Sequence, residues 1–329
     1  EHIALAQSAD VVVIAPASAN TIAKIACGIA DNMLCSTVLA TRAPIIVAPA
    51  MNVNMWENPA TRENTEKLRR RGFDIVGPAH GWLAEGRKGW GRMVEPPEVI
   101  DAIKIALGRG GDLAGKRIVV TSGGTQEPID PVRHITNRSS GRMGCALAEA
   151  ARDRGAEVTL VAAPMAVPDP NGMKTVHVCT AEEMFLAVKE AVSGCDALVM
   201  AAAVADYRPE KAATEKIKKS GAKLTLTLAP TRDILASLSG SFVKVGFAAE
   251  SQDLIANARK KLESKGLDLI VANDISRCDA GFASDMNQVT LLDRGGKAEE
   301  VPLLPKSQVA DRILDRVVAL LARPARGPE

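Results

Sequence analysis

Between Arg133 and Gly141 this 329-residue chain places Arg133, Asn137, Arg138, Ser139, Ser140 and Gly141 just ahead of an amphipathic run over 143–154. Hydroxyls and unpaired backbone N–H groups at the start of a helix suit an anion, and two arginines add charge able to hold a phosphate or a carboxylate. The same stretch has a plainer reading, with Ser139 as a helix cap and the arginines as solvated charge. A second group follows an apolar run: Ala202, Ala203 and Asp206, then Lys216, Lys218, Lys219 and Lys223 in one short polar loop. Such ammonium groups can fold over a polyphosphate and stabilise charge developing on a transferring phosphoryl group, although a lysine run is ordinarily a solvated face. A third group lies early in the chain, where Ser18, Asn20, Asn52 and Asn54 follow apolar runs and His2 offers an imidazole.

The hydrophobic pattern supplies elements to position these groups. The β-branched run over 118–121 reads as a buried strand that discharges into Gly123 and Gly124, where a backbone can turn tightly or approach a ligand. Strands are expected at 157–161, 196–200, 224–228, 243–247, 267–272 and 288–297, the last with a glycine turn at 293–296; helices are expected at 143–154, 180–192, 252–266 and 307–321. About five strand–helix alternations imply a doubly wound α/β sheet. Upstream, strands are expected at 11–15, ended by Pro16, and at 45–48 and 73–76, with helices at 21–30, 63–71 and 98–107. Polar residues at the carboxyl ends of such strands stand at the usual ligand edge of an open sheet. Residues 108–115, GRGGDLAG, form a glycine-dense stretch between long periodic segments and read as a linker. The expected fold is therefore α/β with two three-layer Rossmann-like domains, 1–107 and 116–323, and a disordered tail at 324–329.

Composition narrows the function. A hydrophobic content of 47% with 24% charged residues is ordinary for a soluble globular protein. A formal net charge of +2 gives no reason to expect nucleic acid or an acidic membrane as a partner, so anionic substrates must be met by local clusters. The six cysteines lie far apart with no CxxC, which indicates neither a zinc site nor a disulfide framework; buried thiols in a reducing cytoplasm are expected. With no apolar run of about 18 residues, the chain is expected to be soluble and cytoplasmic. No GxGxxG is followed by an acidic residue about 20 positions later, which argues against a nicotinamide-dependent reductase.

Residues 121–144, TSGGTQEPIDPVRHITNRSSGRMG, resemble the opening motif of the phosphopantothenate–cysteine ligase domain, fused behind a flavin-dependent phosphopantothenoylcysteine decarboxylase in the bifunctional bacterial coenzyme A enzymes. The resemblance implies that the carboxylate of 4′-phosphopantothenate attacks the α-phosphate of CTP and that cysteine then displaces CMP from the acyl-cytidylate, with Mg2+ and lysines neutralising the phosphates. It implies that Asn137 holds the substrate and that Arg133 reaches across from a neighbouring subunit. Ala202, Ala203 and Asp206, in AAAVADY, would line the pocket, and Lys216, in EKIKK, would stabilise the acyl-cytidylate. Thr231, Arg232, Asp233 and Ile234 fall at the family's nucleotide-contacting turn, Phe247 at the residue packed on the cytosine, and Lys261 and Lys265 at its nucleotide-binding lysines. Read without the resemblance, Phe247 is a core phenylalanine.

Residues 1–107 resemble the C-terminal part of the decarboxylase domain, a flavodoxin-like FMN fold. PASANT and PAMNVNMW match its binding motifs, which implies FMN contacts from Ser18 and Asn20, substrate carboxylate binding by Asn52, and His2 as the active-site base. The sequence departs from the pattern twice. It starts at His2, so the domain is expected to be incomplete, lacking its first strand and flavin-phosphate loop. In the flap motif GWLAEGRKGWGRM, Glu85 stands where the family carries a proton-donating cysteine. A carboxylic acid of ordinary pKa, about 4, is mostly ionised at neutral pH, so either Glu85 donates from a closed flap or the final reduction is lost. The expected function is ligation followed by FMN-dependent decarboxylation; the alternative is an active ligase with an inactive flavin-fold binding or oligomerisation module. The resemblance also implies a homo-oligomer, with ligase-domain dimers and, for a complete decarboxylase domain, trimers.

Overall fold

The computed structural model describes residues 1–219, 223–250, 253–274 and 284–322. The chain divides into two units, Glu1–Gly111 and Asp112–Glu329.

In the first unit, apolar runs form a parallel sheet of β1 (Val12–Ala17), β2 (Ile45–Pro49) and β3 (Asp74–Ile75). Its helices are α1 (His2–Ser8), α2 (Ala19–Cys27), α3 (Met33–Ala40), α4 (Val53–Glu57), α5 (Pro59–Arg70) and α6 (Pro96–Gly108). Four of them start on side-chain caps, from Ser18, Asn32, Asn52 and Asn58. Pro16 does not end β1 as the sequence suggests. The register with β2 shifts between Ile14 and Ala17, so the residue without an N–H falls in an irregularity and the strand resumes. The glycine-rich stretch over 81–93 is a hairpin, β4 (Ala79–Trp82) with β5 (Lys88–Arg92).

In the second unit an eight-stranded sheet runs in the order β10-β9-β6-β11-β14-β15-β16-β17. These are β6 (Arg117–Ser122), β9 (Glu157–Ala162), β10 (Lys174–His177), β11 (Ala197–Met200), β14 (Val243–Glu250), β15 (Leu269–Asp274), β16 (Met286–Asp293) and β17 (Ala298–Pro305). Pairing is parallel from β10 to β15 and antiparallel beyond it. Two small hairpins lie outside the sheet: β7 (Gln126–Pro128) with β8 (His134–Thr136), and β12 (Tyr207–Pro209) with β13 (Leu228–Pro230). The helices are α7 (Arg142–Asp153), α8 (Ala181–Ala191), α9 (Ile234–Ser237), α10 (Leu254–Ser264) and α11 (Lys306–Leu321).

Strand alternation splits the core into two layers. Ile118, Val120, Val199, Leu269 and Val271 pack on one face with α7 and α11; Val119, Leu198, Met200, Ile270 and Ala272 pack on the other with α8, α9 and α10. This three-layer arrangement decides which side chains reach each side of the sheet's carboxyl edge.

Several sequence expectations are corrected. The alternating run at 224–228 is not a strand: Leu224 and Leu228 are exposed, and only Leu228–Pro230 pairs, as β13. A hydrophobic alternation without a partner strand has nothing to bury against. The expected strand at 288–297 is half of a hairpin whose second arm, β17, carries Glu299 and Glu300 and so reads as polar. Leu113, expected in the linker, is fully buried in the layer under α7 and α11, and its N–H donates to the Arg154 carbonyl. Cys35 and Cys145 are buried, but Cys27 and Cys179 are exposed because each sits at a helix end. Burial raises the Cys145 thiol to about 11. Cys278, Gln252 and the tail beyond 322 lie outside the described residues.

Candidate functional site

The carboxyl ends of β6 and β11 define the site in the second unit. Gly123 leaves β6 with φ +83°, and a Cβ there would stand 2.3 Å from the Ala163 carbonyl oxygen. The turn therefore requires glycine. It lets the two strand ends bond beyond the sheet: the Ala203 N–H donates to the Gly123 carbonyl at 2.8 Å and the Ala202 N–H to Thr121 Oγ1 at 3.0 Å. Asn137 Nδ2 donates to the Val204 carbonyl at 2.9 Å, tying the loop before α7 to the same strand end. Thr231 completes the edge, with its Oγ1 donating to the Ala205 carbonyl at 2.6 Å and its N–H to the Asp206 carbonyl at 2.9 Å.

Around this edge lies a cavity of about 550 Å3. Asn137, Ala202, Ala203, Asp206, Thr231, Arg232, Asp233, Ile234, Phe247, Lys261 and Lys265 all line it. On the α9 and α10 side the cations are ordered by neighbours. Arg232 lies 4.3 Å over the Phe185 ring with Glu182 at 3.7 Å, and Lys265 Nζ is 3.0 Å from Asp233, whose other oxygen caps α9. A stacked guanidinium and a tethered ammonium are groups that could hold an anion here.

Lys216 and Arg133 do not line this cavity. Lys216 is on an exposed loop that is latched through Asp130. The buried Asp130 carboxylate accepts from the N–H groups of Val132, Arg133 and Ile217 at 2.9, 2.8 and 3.1 Å and from the Arg133 guanidinium, which also donates to the Ile217 carbonyl at 2.7 Å. The Arg133 guanidinium and then these amides hold the Asp130 carboxyl far below the usual carboxylate range, against the opposing effect of burial. A folded value below the unfolded one means the latch contributes above about pH 4 and is lost only as pH falls through the folded value, so it survives mild acid.

Sequence reasoning missed part of the cavity wall: Arg142, Met200, Asn273, Asn287 and Lys306 also line it. A buried polar Asn287 at the start of β16, ahead of its apolar residues, and a lysine directly after Pro305 were the available signals.

In the first unit the ends of β1 and β2 lie side by side, the Ala50 N–H donating to the Ala17 carbonyl at 2.9 Å. Ser18 Oγ caps α2 through the Thr21 N–H at 3.2 Å, exposed Asn20 follows, and Asn52 caps α4 through the Asn54 N–H at 2.8 Å. The β4–β5 hairpin closes on this edge. Met51 N–H donates to the Gly91 carbonyl at 2.9 Å, a Cβ on Gly91 would meet the Met51 oxygen at 2.2 Å, and Asn52 Nδ2 donates to Glu85. Asn52 and Glu85 are thus brought together beside Ser18 and Asn20, whereas His2 opens α1, which packs on α3. Hydroxyl, amide and backbone groups at paired strand ends fit the polar edge of a flavin. Among the described residues no group of three His, Cys, Asp or Glu side chains could hold a metal, and no helix is long and apolar enough to cross a membrane.

Residues 113–321 match the family described as DNA/pantothenate metabolism flavoprotein C-terminal domain, and residues 1–108 the family described as flavoprotein. The chain is 43% identical over 325 residues to the coenzyme A biosynthesis bifunctional protein CoaBC of Bacillus subtilis (strain 168), covering 97% of this chain and 80% of that one. It is 45% identical over 327 residues to the protein of the same name from Vibrio vulnificus (strain YJ016), covering 97% and 81%. Among solved structures it is similar to the C-terminal domain of CoaBC, with a TM-score of 0.55 and 39% identity over 64% of this chain and 98% of that one.

Proposed function

This chain belongs to the family of bifunctional coenzyme A biosynthesis proteins, which combine a ligase with a flavin-dependent decarboxylase, and on that premise we propose that the second unit's cavity is where 4′-phosphopantothenate and CTP meet. The observation that carries this reading is one cavity on the sheet edge lined by Asn137, Asp206, Arg232, Lys261 and Lys265. A carboxylate has no good leaving group, so it must be activated. Its oxygen attacks the α-phosphorus of CTP, the bond to the β-phosphate breaks, and pyrophosphate leaves. The cysteine amine then attacks the acyl carbon of the mixed anhydride, CMP leaves, and the amine's proton goes to solvent.

The chain's residues have separable parts in this sequence. Arg232, Lys261 and Lys265 hold the triphosphate, Phe247 packs on the base, and Asn137 orients the acid against the amide groups of Ala202 and Ala203. Lys216 offsets charge on the acyl-cytidylate when its loop closes. Magnesium carried in by the nucleotide needs only one or two protein carboxylates, a part Asp206 can take. In the single chain Arg133 is committed to the Asp130 latch; a dimer in which it serves a neighbouring cavity is part of the same reading, as is action in the cytoplasm.

In the first unit, FMN when bound supplies the electron withdrawal that lets carbon dioxide leave the cysteinyl end and returns those electrons afterwards. Ser18 and Asn20 would hold it, Asn52 would hold the substrate carboxylate, Glu85 stands over that carboxylate's site on the hairpin, and His2 serves as base. Incubating the chain with CTP, cysteine and 4′-phosphopantothenate is expected to release CMP and pyrophosphate in equal amounts. Folded protein that releases neither would contradict the ligase assignment, and a preparation that fails to retain FMN would contradict the decarboxylase one.

A further inference from the structure

The β4–β5 hairpin of the first unit holds a carboxylate of its own over the amide expected to receive the substrate's carboxylate. The hairpin lies close against the segment that follows β2: a Cβ on Gly89 would stand 2.9 Å from a Val53 methyl carbon, and one on Gly91 2.2 Å from the Met51 oxygen. Its tip is closed as tightly. The Leu83 N–H donates to the Arg87 carbonyl at 2.8 Å and the Gly86 N–H to the Leu83 carbonyl at 2.9 Å, with Gly86 at φ +76°. This turn brings the exposed Glu85 back to Asn52, whose Nδ2 donates to Glu85 Oε1. The amide is held in one orientation, because Asn52 Oδ1 already accepts from the Asn54 N–H at 2.8 Å as the cap of α4. Nδ2 is therefore fixed as a donor at the strand end, and a carboxylate oxygen is what it holds.

An amide that holds one carboxylate through Nδ2 cannot take a second beside it without bringing two like charges into contact. We infer that Glu85 is an internal competitor for the substrate's carboxylate: it fills the Asn52 amide while the site is empty, gives way when a carboxylated ligand arrives, and returns once carbon dioxide has left. This rests on the decarboxylase reading above and adds to it a residue that sets which ligands the hairpin closes over. A ligand with a carboxylate must displace Glu85, and its affinity falls by the strength of that bond. A ligand without one leaves the Glu85–Asn52 bond in place and binds under a hairpin that stays shut. The exchange also serves the reaction. Once carbon dioxide has gone, the refilled amide draws the hairpin over the reacting end and keeps water from it.

Two unreactive ligands that differ only in the carboxylate test this: 4′-phosphopantothenoylalanine, which lacks the thiol, and the ethylamide of 4′-phosphopantothenate, which lacks the thiol and the carboxylate. Binding to the full chain loaded with FMN is followed by the flavin absorption band, so that binding in the second unit does not register. Glu85→Ala is expected to tighten the alanine ligand about tenfold, within the worth of one hydrogen bond to a charged group, and to leave the ethylamide unchanged. Glu85→Gln, a neutral acceptor, is expected to fall between. Asn52→Asp, which keeps the α4 cap and removes the donor, is expected to weaken the alanine ligand. Weakening in Asn52→Asp with no tightening in Glu85→Ala would overturn the competition and leave the Asn52 assignment standing, whereas no change in either variant would remove both. Equal effects of Glu85→Ala on the two ligands would mean that Glu85 only braces the hairpin, and the proposal is overturned. In the ligand-free chain Glu85→Ala is expected to speed tryptic cleavage after Arg87 and Lys88 several-fold. An unchanged cleavage rate would overturn the proposal whether or not the chain retains FMN.

Discussion

Lys216→Ala is expected to lower ligase turnover by about a hundredfold to a thousandfold and to leave the fold intact, because an ammonium aimed at developing phosphoryl charge acts in the transition state and the side chain is exposed in the free chain. Substrate KM values should change little, since Lys216 does not line the cavity in the free chain. The latch sharpens the expectation. Asp130 and Arg133 grip Ile217, the residue next to Lys216, so Asp130→Asn is expected to reduce turnover in the same direction and to speed tryptic cleavage at Lys216, Lys218 and Lys219. Lys216→Ala should leave the cleavage rate at the remaining lysines unaltered. Unchanged turnover in Lys216→Ala would remove that residue from the mechanism, and an unchanged cleavage pattern in Asp130→Asn would remove the latch.

Gly123→Ala should damage the scaffold itself. The position has φ +83°, and the added Cβ would lie 2.3 Å from the Ala163 oxygen and 2.8 Å from the Pro164 oxygen. Both obstacles are backbone, so neither can swing aside. Left-handed strain and overpacking together are expected to cost about 3 kcal/mol or more, which for a unit of about 200 residues lowers the melting temperature by roughly 6–12 °C. Ligase activity should fall as well, because the Gly123 carbonyl anchors the Ala203 N–H at the cavity. A melting temperature within about 1 °C of the native value would contradict this account of the strand-end turn.

What could be read from the sequence follows from how local each signal is. The strands β6, β9, β11, β14 and β15 are apolar runs buried on both sides, and their positions and the α/β class follow from that pattern. β17 hides because an edge strand carries Glu299 and Glu300, and the β4–β5 hairpin because its glycines allow close approach rather than alternation. At the site, residues within the contiguous stretches 202–206 and 231–234 reach the cavity together because each stretch leaves one strand or caps one helix there. Lys306 and Asn287 could not be read in this way. Their place in the wall depends on α11 crossing back over the sheet beside α7, a contact between segments more than a hundred residues apart that no local pattern encodes. Lys216 shows the converse: its lysine-rich loop is conspicuous in sequence, yet the residue does not line the cavity, and the loop beside it is held by Asp130.

In the proposed reaction one cavity activates an acid with a nucleotide before cysteine arrives. The most direct measurement is a single-turnover reaction of the full chain with CTP and 4′-phosphopantothenate, first without cysteine and then with it. A burst of about one pyrophosphate per active site with no CMP, followed by CMP release when cysteine is added, is the expected result. Pyrophosphate that appears only after cysteine is added, or CMP released without it at the same rate, would contradict an acyl-cytidylate held in this cavity.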